Sequence, residues 1–167
     1  VVSGGSQVPL GGFKLEVKGE PVTFTSWAIS ITTTDNDSGG ENGTITSVTV
    51  YDKNGAAVAG PKDFSGGVAG SAAPFTMTFT DSITVPVGVN TYTIKGTLNT
   101  AWESNDTIAL SFTPSTGITS ITGQTTGNSI TATPAVSVTG ATITVKAGTL
   151  VVTPSTSLSS QNVIAPS

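Results

Sequence analysis

Apolar and polar residues alternate with a period of two along much of the chain, beginning with Phe13, Leu15 and Val17 against Lys14, Glu16 and Lys18. That period puts one set on a buried face and the other in water, and it predicts a first strand here. Beyond the turn Gly19-Glu20-Pro21 the phase changes, because Val22 and Phe24 keep one parity while Trp27, Ile29 and Ile31 take the other. A slip of one residue would turn half of these side chains outward, so a β-bulge or a switch between sheets is expected near Thr25 and Ser26. Ile45 to Tyr51 and Ala56 to Ala59 then flank Asp52-Lys53-Asn54-Gly55. Asn54-Gly55 supplies the positive φ of a tight turn, which predicts a hairpin.

Phe75, Met77 and Phe79, followed by Ile83 and Val85, share one parity, with Thr76, Thr78, Thr80 and Thr84 on the other. The pattern breaks at 85–90 (VPVGVN) and resumes at Tyr92, Ile94 and Leu98, which predicts two long strands joined by a Pro-Gly turn. Ile108, Leu110 and Phe112 form a further strand ended by Pro114. Shorter runs follow at 118–121, 129–133, 136–138, 141–145 and 150–153. No helical period is present, and the expected fold is an all-β, antiparallel, Ig-like or jelly-roll-like sandwich of about nine to ten strands.

Composition supports that reading and removes several chemistries. Ser and Thr supply about fifty of the 167 residues, with 20 Gly and 9 Pro, and the strong helix formers are scarce. The length suits one domain, placed at 10–153, with 1–9 as a lead-in and 154–167 as a Ser/Thr/Pro-rich linker or strand-donor segment. Val163 and Ile164 are its candidate donors to an exposed sheet edge of a neighbour, in an array strung head to tail. The net charge is −4, with six Lys and no Arg, so a phosphate-binding surface and nucleic acid as a partner are not expected. The absence of Cys and His excludes disulfides, thiolate nucleophiles, Ser-His-Asp and Cys-His mechanisms, and zinc cages of the sulfur type. A Thr-rich, weakly charged β chain points to an extracellular setting. The head VVSGGSQVPL has neither a basic start nor a long apolar run, so no membrane insertion is expected and the chain reads as mature or excised.

Four stretches together carry a family resemblance: GGFKLEVKGEPVTFTSWAISI (11–31), ITSVTVYDKNGAAVAG (45–60), FTMTFTDSITVPVGVNTYTIKGTL (75–98) and TIALSF (107–112). An opening Phe-x-Leu-x-Val strand, a Val-x-Val-Tyr-Asp strand and a Pro-x-Gly-x-Asn turn into Thr-x-Thr-Ile-Lys are its most telling parts. Over roughly residues 10 to 150 the chain resembles the immunoglobulin-like β-sandwich modules of large bacterial surface and S-layer-type proteins. The resemblance implies a non-catalytic scaffold, adhesin or surface-coat role, with neighbouring copies or tandem domains as partners.

One stretch concentrates charge. In TTTDNDSGGENGT (32–44), Asp35, Asp37 and Glu41 stand among glycines with Asn36 and Ser38. Hard oxygens on a Gly-bent loop suit Ca2+, although the EF-hand combination of a Gly at the sixth position followed by a Glu at the twelfth is not met. A solvated hairpin loop between Ile31 and Ile45 is the other reading of the same residues. Trp102, in the loop-like NTAWESND, is the aromatic expected to face solvent and the candidate platform for a glycan, which makes a carbohydrate-binding module the alternative function. Asn36, Asn42 and Asn105 each begin an N-x-[ST] acceptor pattern. Glu16, Glu20 and Glu103 show no sign of the convergence that glycoside hydrolysis needs, and Lys14 and Lys18 point away from the Phe13 face, against an isopeptide bond.

Overall fold

The computed structural model of the chain describes residues 1–36, 43–64, 74–146 and 148. In chain order its strands are β1 (Val8–Val17), β2 (Val22–Phe24), β3 (Ser26–Thr34), β4 (Ile45–Tyr51), β5 (Ala57–Lys62), β6 (Phe75–Phe79), β7 (Ile83–Val85), β8 (Gly88–Leu98) and β9 (Thr107–Phe112). One helical turn, α1 (Pro114–Gly117), precedes the short strands β10 (Ile118–Thr119), β11 (Ile121–Gly123), β12 (Ser129–Ile130), β13 (Val138–Thr139) and β14 (Ile143–Thr144). The run 150–153 lies outside the described residues.

Every pairing among these described strands is antiparallel, and the fold is an all-β sandwich. A front sheet has the order β1-β8-β4-β5. In the back sheet β3 is flanked by β6 on one side and by β10 and β9 on the other, and β13 and β14 both pair with the far side of β9. A lower sheet has the order β12-β11-β2-β7.

The lower sheet is where the phase slip resolves. β2 pairs Phe24 with Ile83 in the lower sheet, and three residues on, β3 pairs Trp27 with Phe79 in the back sheet. The strands therefore change sheet together, and β10 and β11 make the same passage at Ser120, whose φ is 56°. The slip at Thr25 and Ser26 is thus a sheet switch. The run from Phe75 to Val85, expected to be one long strand, is cut in the same way into β6 and β7, and the described residues hold fourteen strands where nine to ten were expected. The segment after Val85 is likewise not a hairpin turn, because β7 lies in the lower sheet and β8 in the front sheet. The Asn90 amide closes that link by donating to the carbonyls of Pro86 at 2.7 Å and Gly88 at 3.1 Å. Parity alone could not show this, since a sheet switch that spans an odd loop leaves the inward side chains in phase.

One continuous core fills the sandwich. Phe13 from β1 meets Phe112 from β9 edge-on with ring centres 4.7 Å apart, and Trp27 lies 5.7 Å from both Tyr92 and Phe112. Such edge-to-face pairs add to the burial of the rings themselves. At one side the front and back sheets are tied together where Lys62 Nζ of β5 donates to the carbonyl of Thr78 in β6 at 2.5 Å, with Phe64 edge-on to Phe75 beside it. At the β4–β5 turn, the carboxylate of Asp52 accepts the backbone N–H groups of Asn54 at 2.8 Å and Ala56 at 2.9 Å, and Gly55 takes φ 82°, so the hairpin forms as its sequence predicts.

Candidate functional site

The acidic stretch begins where β3 ends. Asp35 is half-buried and Asn36 exposed, while Asp37 and Glu41 lie outside the described residues. Asn36 is held from below: its backbone N–H donates to Asp106 Oδ1 at 3.3 Å and its side-chain amide to the carbonyl of Asn105 at 2.7 Å. The partner loop 103–106 is organised by Asp106, which is 2% exposed. Its Oδ2 accepts the N–H of Glu103 at 2.9 Å, its own carbonyl accepts Val145 at 2.8 Å, and Asn105 donates to Val145 at 3.0 Å. Asn105 takes φ 82°, a conformation that Asn tolerates better than most residues.

Asp106 was legible in the sequence only as the middle of an N-x-[ST] pattern. The signal that marks it structurally is a short polar acid placed just before the first residue of a strand and three residues after a loop N–H it can bind, the pattern of side-chain-to-backbone turns. Its two oxygens are spent on N–H donors, so it fixes two loops against each other. Among the described residues no group of three or more His, Cys, Asp and Glu is placed to hold a metal ion.

Trp102 belongs to the same corner, and its placement corrects the expectation of a ring in solvent. It is 1% exposed, and its indole N–H donates to the carbonyl of Thr44 at 3.0 Å. Gly43 lies flat against it: a Cβ added there would stand 2.6 Å from Cε2 of the ring. The loop-like sequence around Trp102 hid this, because burial here comes from the approach of residues 43–44, more than fifty positions away. The ring is packing, and no face of it is open for a sugar to stack on.

Several other carboxylates have local partners. Glu16 pairs with Lys18 at 3.4 Å in the open, where such a pair contributes little. Lys14 and Lys18 are exposed, in keeping with their parity. Asp63 accepts the N–H of Ser47 at 2.8 Å, and Asp81 that of Gly60 at 3.1 Å. Glu20, in the β1–β2 turn, reaches the turn between β11 and β12, accepting the Thr125 N–H at 2.5 Å, the Thr126 N–H at 3.0 Å and the Thr126 hydroxyl at 2.6 Å. Those bonds, the Thr126 hydroxyl foremost, hold the Glu20 carboxyl below its ordinary value.

Glu20 therefore latches the lower sheet to the β1–β2 turn in its ionised form, and its contribution has a definite pH sense. A carboxyl lowered by folding stabilises the fold above the unfolded glutamate range, about 4–5, and loses that contribution as pH falls through the lower folded value. Glu20→Gln is expected to lower the melting temperature at neutral pH and to converge with the wild type in acid. A difference between the two melting curves that stays constant from neutral to acid pH would contradict the latch.

Glu20, Asp52, Asp63, Asp81 and Asp106 thus secure turns and loops in separate parts of the sandwich. Two acids facing one cleft, the arrangement needed to cleave a glycosidic bond, do not occur among Glu16, Glu20 and Glu103: the first two stand with Lys18 and the Thr125–Thr126 turn, and Glu103 lies in the corner of Trp102 and Asp106. No family model, no curated protein and no solved structure matches the chain.

Proposed function

We propose that the chain is a non-catalytic structural or adhesive module of an extracellular bacterial surface protein, an S-layer, adhesin or filament component that associates with neighbouring copies. The observation that carries this reading is the use of the polar residues. Five of the described carboxylates, Glu20, Asp52, Asp63, Asp81 and Asp106, are bound to backbone N–H groups, and the outward faces pair neutral hydroxyls, as in Thr23–Thr84 at 2.9 Å and Ser30–Thr76 at 3.1 Å. Such a molecule spends its polar groups on rigidity and offers broad, weakly charged surfaces for contact. Ca2+ enters the proposal as a clamp on the stretch of Asp35, Asn36, Asp37 and Glu41, whose Asn36 is already tied to Asp106.

Sedimentation velocity and electron microscopy of the full chain across a concentration series test the proposal. Ordered assembly that grows with concentration, without added glycan, is the expected result. A chain that stays monomeric at every concentration while it is retained on a glycan array would favour the carbohydrate-binding alternative, through a surface other than Trp102. For the loop, extracellular Ca2+ modules bind in the range of about 0.1–1 mM. Adding 10 mM Ca2+ is therefore expected to stabilise the fold by about 1.4–2.7 kcal/mol through mass action. A melting temperature indifferent to chelator would remove calcium from the reading.

A further inference from the structure

The two long sides of the sandwich differ. The side at β5 and β6 is closed by the bond from Lys62 to Thr78. On the other side β1 bonds to β8 along one edge and to no described strand along its outer edge. Between that outer edge and residues 130–138 runs a groove of about 490 Å3, room for several aliphatic side chains. Leu15, Val17, Ala132 and Val138 line it, packed against the core yet only half-buried, and Ile130 on its rim is 37% exposed. Val85 and Ile121 of the lower sheet form its floor. A strand edge with open N–H and C=O groups beside an unfilled apolar trough is the arrangement that takes up an added strand.

We infer that this groove accepts, as an added strand beside β1, the segment 154–167 of a neighbouring copy. The inference rests on the assembly reading above and names the site through which copies would join. Direction of exit is the first argument. β14 and Lys146 run to the end of the sandwich marked by Leu98 and Trp102, where Lys146 pairs with Val1 and Ser3. The groove lies toward the opposite end, beside Val17 and Val85. The 19 residues beyond Gly148 reach about 60 Å when extended, enough to leave one copy and run the length of the groove in the next.

Chemical fit is the second argument. An added strand must present apolar side chains to the trough and uncharged polar ones to its outer face, where Lys14, Glu16 and Lys18 alternate in solvent. The segment carries no charged residue and supplies Leu158, Val163 and Ile164 among Ser, Thr, Gln and Asn. Occupation of the groove by the copy's own segment requires that segment to reverse direction and return along the whole sandwich, and this second occupant is distinguished by the test.

The chain has no cysteine, which makes disulfide trapping clean. Full-length Ala132→Cys and Ile164→Cys chains are mixed under mild oxidation, with Lys53→Cys in the exposed β4–β5 turn replacing the groove cysteine as control. Heterodimer yield is expected to exceed the control by about tenfold, the mark of a raised effective concentration. Ile130→Cys, on the exposed rim, serves if Ala132→Cys does not fold. Equal yields from groove and control overturn the proposal. So does an internal disulfide in a dilute Ala132→Cys/Ile164→Cys double variant that stays monomeric, because the groove is then filled by its own chain. Sedimentation of the wild type separates the two levels: assembly without groove trapping overturns the groove and keeps the assembly reading, whereas a monomer without trapping overturns both.

Discussion

Trp27→Ala is expected to destabilise the fold by about 3–5 kcal/mol, the range for emptying an aromatic site in a packed core. Trp27 is fully buried and has four rings around it: Phe13, Phe24, Tyr92 and Phe112, with centres 5.7 to 6.5 Å away. It also stands at the corner where the back sheet passes into the lower one, pairing with Phe79 on one side and Ile118 on the other. Its loss therefore opens both sheets at their junction. Trp27→Phe is expected to cost much less, about 1–2 kcal/mol, because the indole Nε1 has no hydrogen-bond partner among the described residues to lose. Urea unfolding with an unchanged slope checks both values. Equal losses for Phe and Ala would mean that the N–H group contributes more than its surroundings indicate.

Asp106→Ala is the second large expected loss, about 3 kcal/mol, and its cause is different. The substitution removes little volume but strips the acceptor from Glu103 N–H and Asn36 N–H in a corner that water does not reach freely. Unpaired donors and lost charge-assisted bonds each cost on the order of 1–3 kcal/mol. Asp106→Asn keeps the shape and one acceptor oxygen, so it is expected to recover about half of the loss. Hydrogen exchange gives the sharper readout. The amides of Asn36 and Glu103 should exchange faster in Asp106→Ala while those of β1 and β8 keep their protection, and a uniform change across the sandwich would contradict a local role.

The strands were legible wherever one face is buried and the other wet, as at Phe13 to Val17 or Ile108 to Phe112, because a period of two has only one structural solution there. The phase slip at Thr25 was legible for the same reason. The cut between Phe79 and Ile83 was not, since those residues point inward on both sides of the bend and the pattern is blind to which sheet receives them. At the candidate site the limits were of another kind. Acidic residues could be counted, but whether a carboxylate faces solvent or a backbone N–H depends on loops brought together from distant positions. Asp106 and Trp102 owe their burial to such contacts, with residues 36, 43 and 44, and no local window of sequence contains them.

The bridge between Val2 and Lys146 has a mechanical consequence. It is parallel, and it is flanked by bonds from Lys146 N–H to Val1 O at 2.8 Å and from Ser3 N–H to Lys146 O at 3.3 Å. Tension drawn along the chain pulls residue 2 backward and residue 146 forward, so these bonds are loaded side by side in shear. They share the force until they fail together, instead of parting one after another like the teeth of a zip. A link so placed would give the sandwich a threshold: below it the ends of the described chain stay joined, and above it they release at once.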